Sequence, residues 1–355
     1  MKVYAVIMAG GVGSRFWPSS KERTPKQLLK IFGEKTMIQD TIERLEGIVE
    51  FENIFIVTNK VQKPEILKLL PDLPSENIIE EPFGRNTAAC IGLSAVILKS
   101  KSPDAVMITL PADHLIRDIN SFQKTIKDAV DFAYESKGLV TIGITPTRPE
   151  TGYGYIQIDE REVKKNIYKV YTFAEKPNYA TAVRFLESGD FSWNSGMFIW
   201  RVDTILEEMR IHLPDLYEGL VKIEKDINSP DFEKTLINVY GQLRNISIDY
   251  GIMEKTNRVY LTKGNFIWSD VGSWEEVYQL SDKDDDGNAV KGNAFTDMTI
   301  DTLIYSPNKF TAAIGVENLI IVNTDDAVLV CRRDHSQEVR KVVDHLKINK
   351  LTEHL

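Results

Sequence analysis

A short apolar run, Val3 to Met8, breaks off into Gly10-Gly11-Val12-Gly13, and the same grammar repeats as far as Thr145. Each buried strand ends in a turn, a helix follows, and another buried strand begins. Thr36-Met37-Ile38-Gln39 has the spacing of a capping box with Thr36 as N-cap, after which Ile38, Ile42 and Leu45 share one helical face. Asn53 to Thr58 reads as a second strand, and Asn86-Thr87 opens an apolar helix through Ile97. Ala105 to Leu110 is a third strand. A stripe of Phe122, Ile126, Ala129, Val130 and Ala133 marks the next helix, and Leu139 to Thr145 the next strand. Near-continuous apolar strands alternating with helices require a mainly parallel sheet covered on both faces, so the fold class is α/β and Rossmann-like. Ligands of such sheets bind beyond the C-terminal strand ends, near the point where strand order reverses. The glycine loop and Pro111-Ala112-Asp113-His114 both follow apolar strands and are expected at one mouth.

From Tyr153 onward, strand-like pieces (YGYIQI, YKVYTF, MFIW) alternate with helices near 179–188, 202–210 and 231–240. A mixed extension of the first sheet accounts for these better than a new domain. Around 281–292 the chain becomes polar and turn-rich, SDKDDDGNAVKG. Beyond it, MTIDTLIY, FTAAIG, LIIVN and AVLVC read as short strands of a small β unit, closed by a charged helix from His335 to Leu346. The expected organisation is a domain over 1–280, a linker over 281–292 and a small β domain with a C-terminal helix over 293–355. A chain of 355 residues is long enough for two such units.

Composition removes several classes of function. The net charge of -9 argues against a nucleic-acid binder, which carries a basic face. The two cysteines, Cys90 and Cys331, support neither a disulfide framework nor a CxxC site and read as buried thiols of a reducing compartment. Five histidines without HExxH spacing give no zinc signature. The run after Met1 is too short for a secretory signal, and no segment approaches the ~20 apolar residues of a membrane span. The expectation is a cytoplasmic protein without a membrane or nucleic-acid partner.

Four motifs carry chemistry. Gly10-Gly11-Val12-Gly13-Ser14-Arg15 lets backbone N–H groups approach phosphate oxygens, and Arg15 adds a charged, bidentate donor. It is not a Walker A loop, since no Gly-Lys-Ser/Thr follows, nor a dinucleotide fingerprint, since Phe16 stands at the third glycine position. Alone it could be a tight turn; Arg15 and the nearby Lys26 turn the reading towards an anion site. Asp113 and Asp270 each follow a strand, and two carboxylates with substrate phosphates are a common way to hold Mg²⁺. Capping of the helix after Gly272 is the rival use for Asp270. Glu175, with Asn194 further on, offers the directional acceptor and donor groups that sugar hydroxyls need, although Asn194-Ser195-Gly196 is also ordinary turn composition. Asp282 to Gly287 opens like a calcium loop, but Asn293 stands where the bidentate glutamate belongs, and a solvated acidic linker explains it better.

At this point the residues resemble a known family. Gly10-Gly-Val-Gly-Ser-Arg-Phe-Trp-Pro18 with Pro25-Lys-Gln-Leu28 looks like the signature loop of mannose-1-phosphate guanylyltransferases. The likeness continues through Glu81-Pro-Phe-Gly-Arg-Asn-Thr-Ala88, Leu110-Pro-Ala-Asp-His114, Thr151-Gly-Tyr-Gly-Tyr-Ile156 and Phe173-Ala-Glu-Lys-Pro177. It extends to Trp193-Asn-Ser-Gly-Met-Phe198, Ser247-Ile-Asp249 and Trp268-Ser-Asp-Val-Gly-Ser-Trp274. The region after 285 resembles, more weakly, the family's short left-handed β-helix-like tail. Leu28 departs from the Phe of many relatives, a conservative apolar change.

The resemblance implies a nucleotidyltransferase core joining GTP and mannose 1-phosphate into GDP-mannose and pyrophosphate, with Mg²⁺ as cofactor, in a homodimer. It implies Arg15, Lys26, Asp113 and Asp270 as catalytic groups, with Asp113 and Asp270 on the metal. It assigns Ala9, Gly10, Gly11, Gly13, Arg15, Lys26, Asn86, Thr87, Pro111 and Ala112 to the nucleotide, and Gly152, Glu175, Asn194 and Asp270 to the sugar. The residues after 285 are too few for the isomerase domain of two-function relatives, so no phosphomannose isomerase activity is expected. Two readings stand beside this one: the same chemistry on another nucleotide or sugar, and a non-catalytic nucleotide-sugar sensor.

Overall fold

The computed structural model describes residues 1–355. Fifteen strands follow in order as β1 (Val3–Met8), β2 (Ile54–Asn59), β3 (Ile78–Glu81), β4 (Val106–Pro111), β5 (Leu115–Arg117), β6 (Leu139–Ile144), β7 (Gly154–Lys164), β8 (Ile167–Glu175), β9 (Phe191–Arg201), β10 (Val259–Gly264), β11 (Ile267–Ser269), β12 (Ala289–Asp297), β13 (Leu303–Ile314), β14 (Leu319–Asn323) and β15 (Val328–Arg332). The helices are α1 (Met37–Glu43), α2 (Lys63–Leu69), α3 (Asn86–Lys101), α4 (Ile119–Ser136), α5 (Tyr179–Ser188), α6 (Val202–His212), α7 (Pro214–Asp226), α8 (Phe232–Gln242), α9 (Trp274–Leu280) and α10 (Arg340–Ile348).

Nine strands form one sheet in the order β3-β2-β1-β4-β9-β6-β10-β8-β7. β1, β2, β3 and β4 are mutually parallel, as the two-sided apolar runs of β1, β2 and β4 require. β9 then enters antiparallel between β4 and β6, and β7 and β8 extend the far edge as an antiparallel pair. The strand order reverses on either side of β1, between β2 and β4, and so the loops after β1 and β4 open into one crevice. One face of the sheet is covered by α3, α6, α7 and α8, the other by α1, α2, α4 and α5. The capping box at Thr36 is present: its hydroxyl accepts from Gln39 N, and the Gln39 side chain returns to Thr36 N.

The C-terminal unit is a four-stranded sheet, β12-β13-β14-β15, parallel except for its last pair. Four expectations change here. The last four residues of the polar stretch 281–292 are strand, because Ala289 to Gly292 pair with Leu303 to Ser306. MTIDTLIY and FTAAIG meet in one strand, β13 from Leu303 to Ile314, whose pairing with β12 shifts register between Ser306 and Thr311. The chain from Met298 to Asp301 is a turn, with both of those residues at positive φ (46° and 50°). The charged terminal helix begins as a 3-10 turn over Arg333–Val339, and α10 carries it on to Ile348. Cys90 is buried, whereas Cys331 on the narrow C-terminal sheet is only half-buried.

A third core joins this unit to the front of the main domain. Phe16, Trp17, Ile31 and Met37 pack with Trp274, Leu303, Tyr305, Ile320, Val322, Val339, Val343 and Leu346.

Candidate active site

The glycine loop leaves β1 with its underside tied down. Gln27 Nε2 donates to Ala9 O (2.9 Å) and Gly11 O (3.1 Å), and Thr58 Oγ1 donates to Ala9 O (3.2 Å). Ala9 N donates to Val57 O, so both backbone groups of Ala9 are committed to the fold, and this residue shapes the site without offering it a hydrogen bond. By contrast, the N–H groups of Gly10, Gly11, Val12 and Gly13 have no partner within the protein. Four successive free donors make a concavity suited to phosphate oxygens. At Gly13 only glycine is possible: φ is 67°, and a Cβ would stand 2.7 Å from Lys26 Cβ.

Lys26 is 4% exposed, which excludes a solvated surface lysine. Its ammonium donates to Asp113 Oδ2 at 2.9 Å and to the Asp270 carbonyl at 2.5 Å. Asp113 follows β4, Asp270 follows β11, and Arg15 lies beside them: Gly13, Arg15, Phe16, Lys26, Asp113, His114, Asp270, Val271 and Gly272 line one cavity of about 140 Å³. Burial alone would raise the Asp113 carboxyl, but the Lys26 charge and hydrogen bond bring it below its ordinary value. Asp270 does not cap α9, whose N-cap is Ser273. Its Oδ1 instead accepts from Tyr153 OH at 2.7 Å. Burial, and then the Asp270 charge, raise the Tyr153 hydroxyl well above its ordinary value, so it remains a donor. Val271, buried and β-branched, sits at φ 46°, a strained conformation beside a site residue. Glu276 holds that turn by accepting from Gly272 N at 2.5 Å.

His114, between these groups and Trp268, has no role in the sequence reading. Burial lowers its imidazole to about 4, so it is neutral at physiological pH. The Trp268 indole, which can only donate, bonds Nδ1 at 3.2 Å and so leaves the proton on Nε2. Arg44, also unread, donates to the His114 carbonyl at 3.1 Å and fixes the loop that carries Asp113.

The adjoining wall is formed by the ends of β3 and β4 and the start of α3. Asn86 takes φ 64° and accepts from Thr87 N at 2.8 Å. Thr87 Oγ1 accepts from Ile248 N at 2.8 Å, which ties this turn to the 243–248 segment. Pro111 ends β4; Ala112 N donates to Met8 O, so Ala112, like Ala9, offers shape alone. Glu81 enters the sequence reading only as part of a motif. Its Oε2 lies 3.9 Å from where a Gly10 Cβ would stand, and its Oε1 accepts from Tyr240 OH at 3.1 Å. Burial pushes its carboxyl up to about 7.

Around Gly154, Glu175 and Asn194 come together at the ends of β7, β8 and β9, close enough that a side chain at Gly154 would displace the Glu175 carboxylate. Asn194 Nδ2 donates to Asp249 Oδ1 at 2.8 Å, and its Oδ1 accepts from Gly196 N at 3.1 Å. Asp249, unassigned in the sequence reading, is pushed up to about 6 by burial and the nearby Glu175 charge. Gly152 lies on the exposed loop before β7, its N–H donated to Glu150 at 3.1 Å, so the glycine against Glu175 is Gly154.

No group of three or more acidic, histidine or cysteine side chains is arranged to hold a metal ion by itself. Asp113 and Asp270 in one cleft therefore fit a divalent ion that takes its remaining oxygens from phosphates and water, and not an all-protein cage.

Comparison with known proteins agrees with this geometry. The family model for nucleotidyl transferases matches residues 4–287, and that for the mannoseP isomerase/GMP-like beta-helix domain matches residues 296–346. A mannose-1-phosphate guanylyltransferase of Escherichia coli is 42% identical over 98% of this chain and 75% of its own length. One of Salmonella muenchen is 42% identical over 99% and 75%. Among solved structures, a protein described as mannose-1-phosphate geranyltransferase from Thermus thermophilus superposes with a TM-score of 0.89 at 35% identity, covering 98% of this chain and all of that one. One described as mannose-6-phosphate isomerase from Helicobacter pylori reaches 0.63 at 26% identity over 76% of this chain and all of that one. With a family model spanning its whole main sheet and relatives of this identity along nearly its full length, the chain belongs to the nucleotidyl transferase family, among the mannose-1-phosphate guanylyltransferases.

Proposed function

We propose that this chain joins GTP and mannose 1-phosphate into GDP-mannose, releasing pyrophosphate. The observation that carries the reading is the convergence of Arg15, Lys26, Asp113 and Asp270 on one cleft at the switch point of the sheet, beside four unpartnered loop N–H groups. The sugar phosphate oxygen attacks the α-phosphorus in line and pyrophosphate leaves, so no protein nucleophile is needed. What the protein must do is hold two polyanions against their mutual repulsion, by position and local field. The N–H groups of Gly10 to Gly13, with Arg15 and Lys26, receive the triphosphate, and the local field overrides the net charge of -9. Asp113 and Asp270 would hold Mg²⁺, which supplies charge neutralisation between the reacting phosphates.

Guanine presents two adjacent donors, N1–H and the N2 amino group, where adenine presents a ring acceptor. Glu81, in its ionised form, is the acceptor pair suited to that edge, while Asn86, Thr87, Pro111 and Ala112 line the wall beside it. Glu175 and Asn194 hold the sugar hydroxyls, with Asp249 behind Asn194. The division into a catalytic domain to about residue 280 and a β domain that opens with β12 at Ala289 belongs to this reading.

So does a homodimer. Val290, Phe295, Ile314, Val328 and Val330 of the C-terminal sheet are 44–58% exposed, apolar surface that a second copy could cover. Two free thiols suit the cytoplasm, and no helix is long and apolar enough to cross a membrane. The test is a matrix of GTP, ATP, UTP and dTTP against mannose, glucose and galactose 1-phosphates with Mg²⁺, read as pyrophosphate release. If UTP or dTTP with glucose 1-phosphate outperforms GTP with mannose 1-phosphate, the guanylyl assignment is lost.

A further inference from the structure

The segment that follows the glycine loop is seated on the C-terminal unit. Trp17 Nε1 donates to His354 O at 3.0 Å, and Lys21 pairs with Asp326. Lys291 Nζ donates to the carbonyls of Lys30 and Ile31, both at 2.8 Å. Trp274 bridges the two sides, its ring centroid 5.1 Å from that of Phe16 and 5.0 Å from that of Tyr305.

Arg15 stands at the edge of this junction. Its Nη1 donates to Gly272 O at 3.0 Å and to Gln337 Oε1 at 3.2 Å. Nη1 carries two hydrogens, so both are used. The Nε–Nη2 edge, which grips a phosphate with two parallel hydrogen bonds, has no partner in the protein. Both side chains are exposed, yet their backbones are fixed: Phe16 beside Arg15 is 1% exposed, and Ser336 beside Gln337 is 3% exposed.

We propose that the C-terminal unit forms part of the triphosphate site, with Gln337 as a positioning residue that turns the Nε–Nη2 edge of Arg15 toward the phosphates. The inference rests on the proposed function and adds to it a residue from outside the catalytic sheet. A long side chain loses rotamer freedom when it grips an anion, and a guanidinium already held by one nitrogen loses less. Gln337 suits the task because its amide oxygen accepts without adding negative charge beside a triphosphate. A carboxylate there would compete for Arg15.

The test is a double-mutant cycle of Gln337→Ala and Arg15→Ala, read by calorimetric titration with GTP–Mg²⁺ and by the KM values for GTP and mannose 1-phosphate. Gln337→Ala should weaken GTP about tenfold, leave the KM for mannose 1-phosphate and the thermal midpoint unchanged, and have no further effect once Arg15 is alanine. General damage to the domain junction would act whatever stands at position 15. The same loss in both backgrounds, or no loss in either, overturns the proposal. If the unaltered chain binds another triphosphate in place of GTP, the guanylyl reading fails, and the cycle is read with that nucleotide, because Arg15 addresses phosphates and not the base. Binding of no triphosphate at all overturns both.

Discussion

The ammonium of Lys26 lies 2.9 Å from Asp113 Oδ2, a contact that joins the segment after β1 to the turn after β4. Lys26 thereby compensates a carboxylate that the proposed chemistry also offers to a metal. A triphosphate bound as proposed would give the ammonium a second anion to serve and would free Asp113 for the metal.

This arrangement makes the carboxylates testable without disturbing the fold. Asp113→Asn keeps an acceptor for Lys26, and Asp270→Asn keeps one for Tyr153, while each removes a metal-binding charge. Both should lower kcat by at least about a hundredfold, the several kcal/mol expected when charge stabilisation by a metal ion is lost. Thermal midpoints should stay within a few degrees. Near-normal turnover with an unchanged Mg²⁺ dependence in either variant would take that residue out of the metal site.

Base choice should depend on Glu81. Gln at this position retains one acceptor but turns the other into a donor, which then faces a donor of guanine. Glu81→Gln should cut kcat/KM for GTP by roughly ten- to a hundredfold, one unpaired buried group, while changing that for ATP little. Equal losses with both nucleotides would mean that Glu81 supports the loop and does not read the base.

The sheet was legible because strands buried on both faces spell themselves out as unbroken apolar runs, and each glycine or PADH turn marks a strand end. Asp113, Asp270 and Lys26 were legible as residues of the right chemistry after strands. Their mutual contacts were not, since they depend on sheet order. α7 has no counterpart among the helices expected from sequence, although Leu216, Leu220 and Ile223 carry helical spacing; Pro214 stands at its start, where the missing N–H costs nothing. Glu81, Asp249 and His114 gave no local signal: a carboxylate or imidazole acquires its role from what tertiary packing buries around it. The boundaries of the first C-terminal strands were hidden for the same kind of reason. β12 is rich in polar and exposed residues, being part of a narrow sheet with little interior to fill.

Asp249 ties stability to pH in a direction opposite to that of an ordinary salt-bridged carboxylate. Its folded value of about 6 lies above the ordinary 3.8, so the folded chain holds the proton more tightly than the unfolded one. Ionisation therefore costs the folded state: the penalty is absent below the unfolded value, grows as pH rises between the two, and is complete above about 6. Asp249→Asn, which still accepts from Asn194, should resist urea better than the parent at pH 8 by on the order of 1–3 kcal/mol, and the gain should shrink toward pH 4.5. The same substitution should weaken mannose 1-phosphate by altering the hold on Asn194. A variant less stable than the parent at pH 8 would show that the Asp249 charge is well compensated.

The last expectation concerns how the crevice is divided between its two substrates. Lys26 stands at the phosphate end with Asp113, whereas Glu175 stands against Gly154 and Asn194. Lys26→Ala removes a charge-assisted donor to phosphate and should weaken GTP–Mg²⁺ by roughly ten- to a hundredfold, with a smaller effect on GDP-mannose, which lacks the γ-phosphate. Glu175→Gln keeps the size of the side chain but replaces one acceptor with a donor. It should weaken GDP-mannose by a comparable factor, because a sugar hydroxyl oriented toward a carboxylate then meets the wrong partner, and it should leave GTP nearly untouched. Glucose 1-phosphate, differing from mannose 1-phosphate at one carbon, should be the sugar whose rejection erodes most in Glu175→Gln. Titration of both variants with GTP–Mg²⁺ and GDP-mannose decides the matter, since the two losses must cross. If both substitutions weaken GTP by one factor and spare the sugar nucleotide, Glu175 belongs to the triphosphate end and the proposed division of the pocket is wrong.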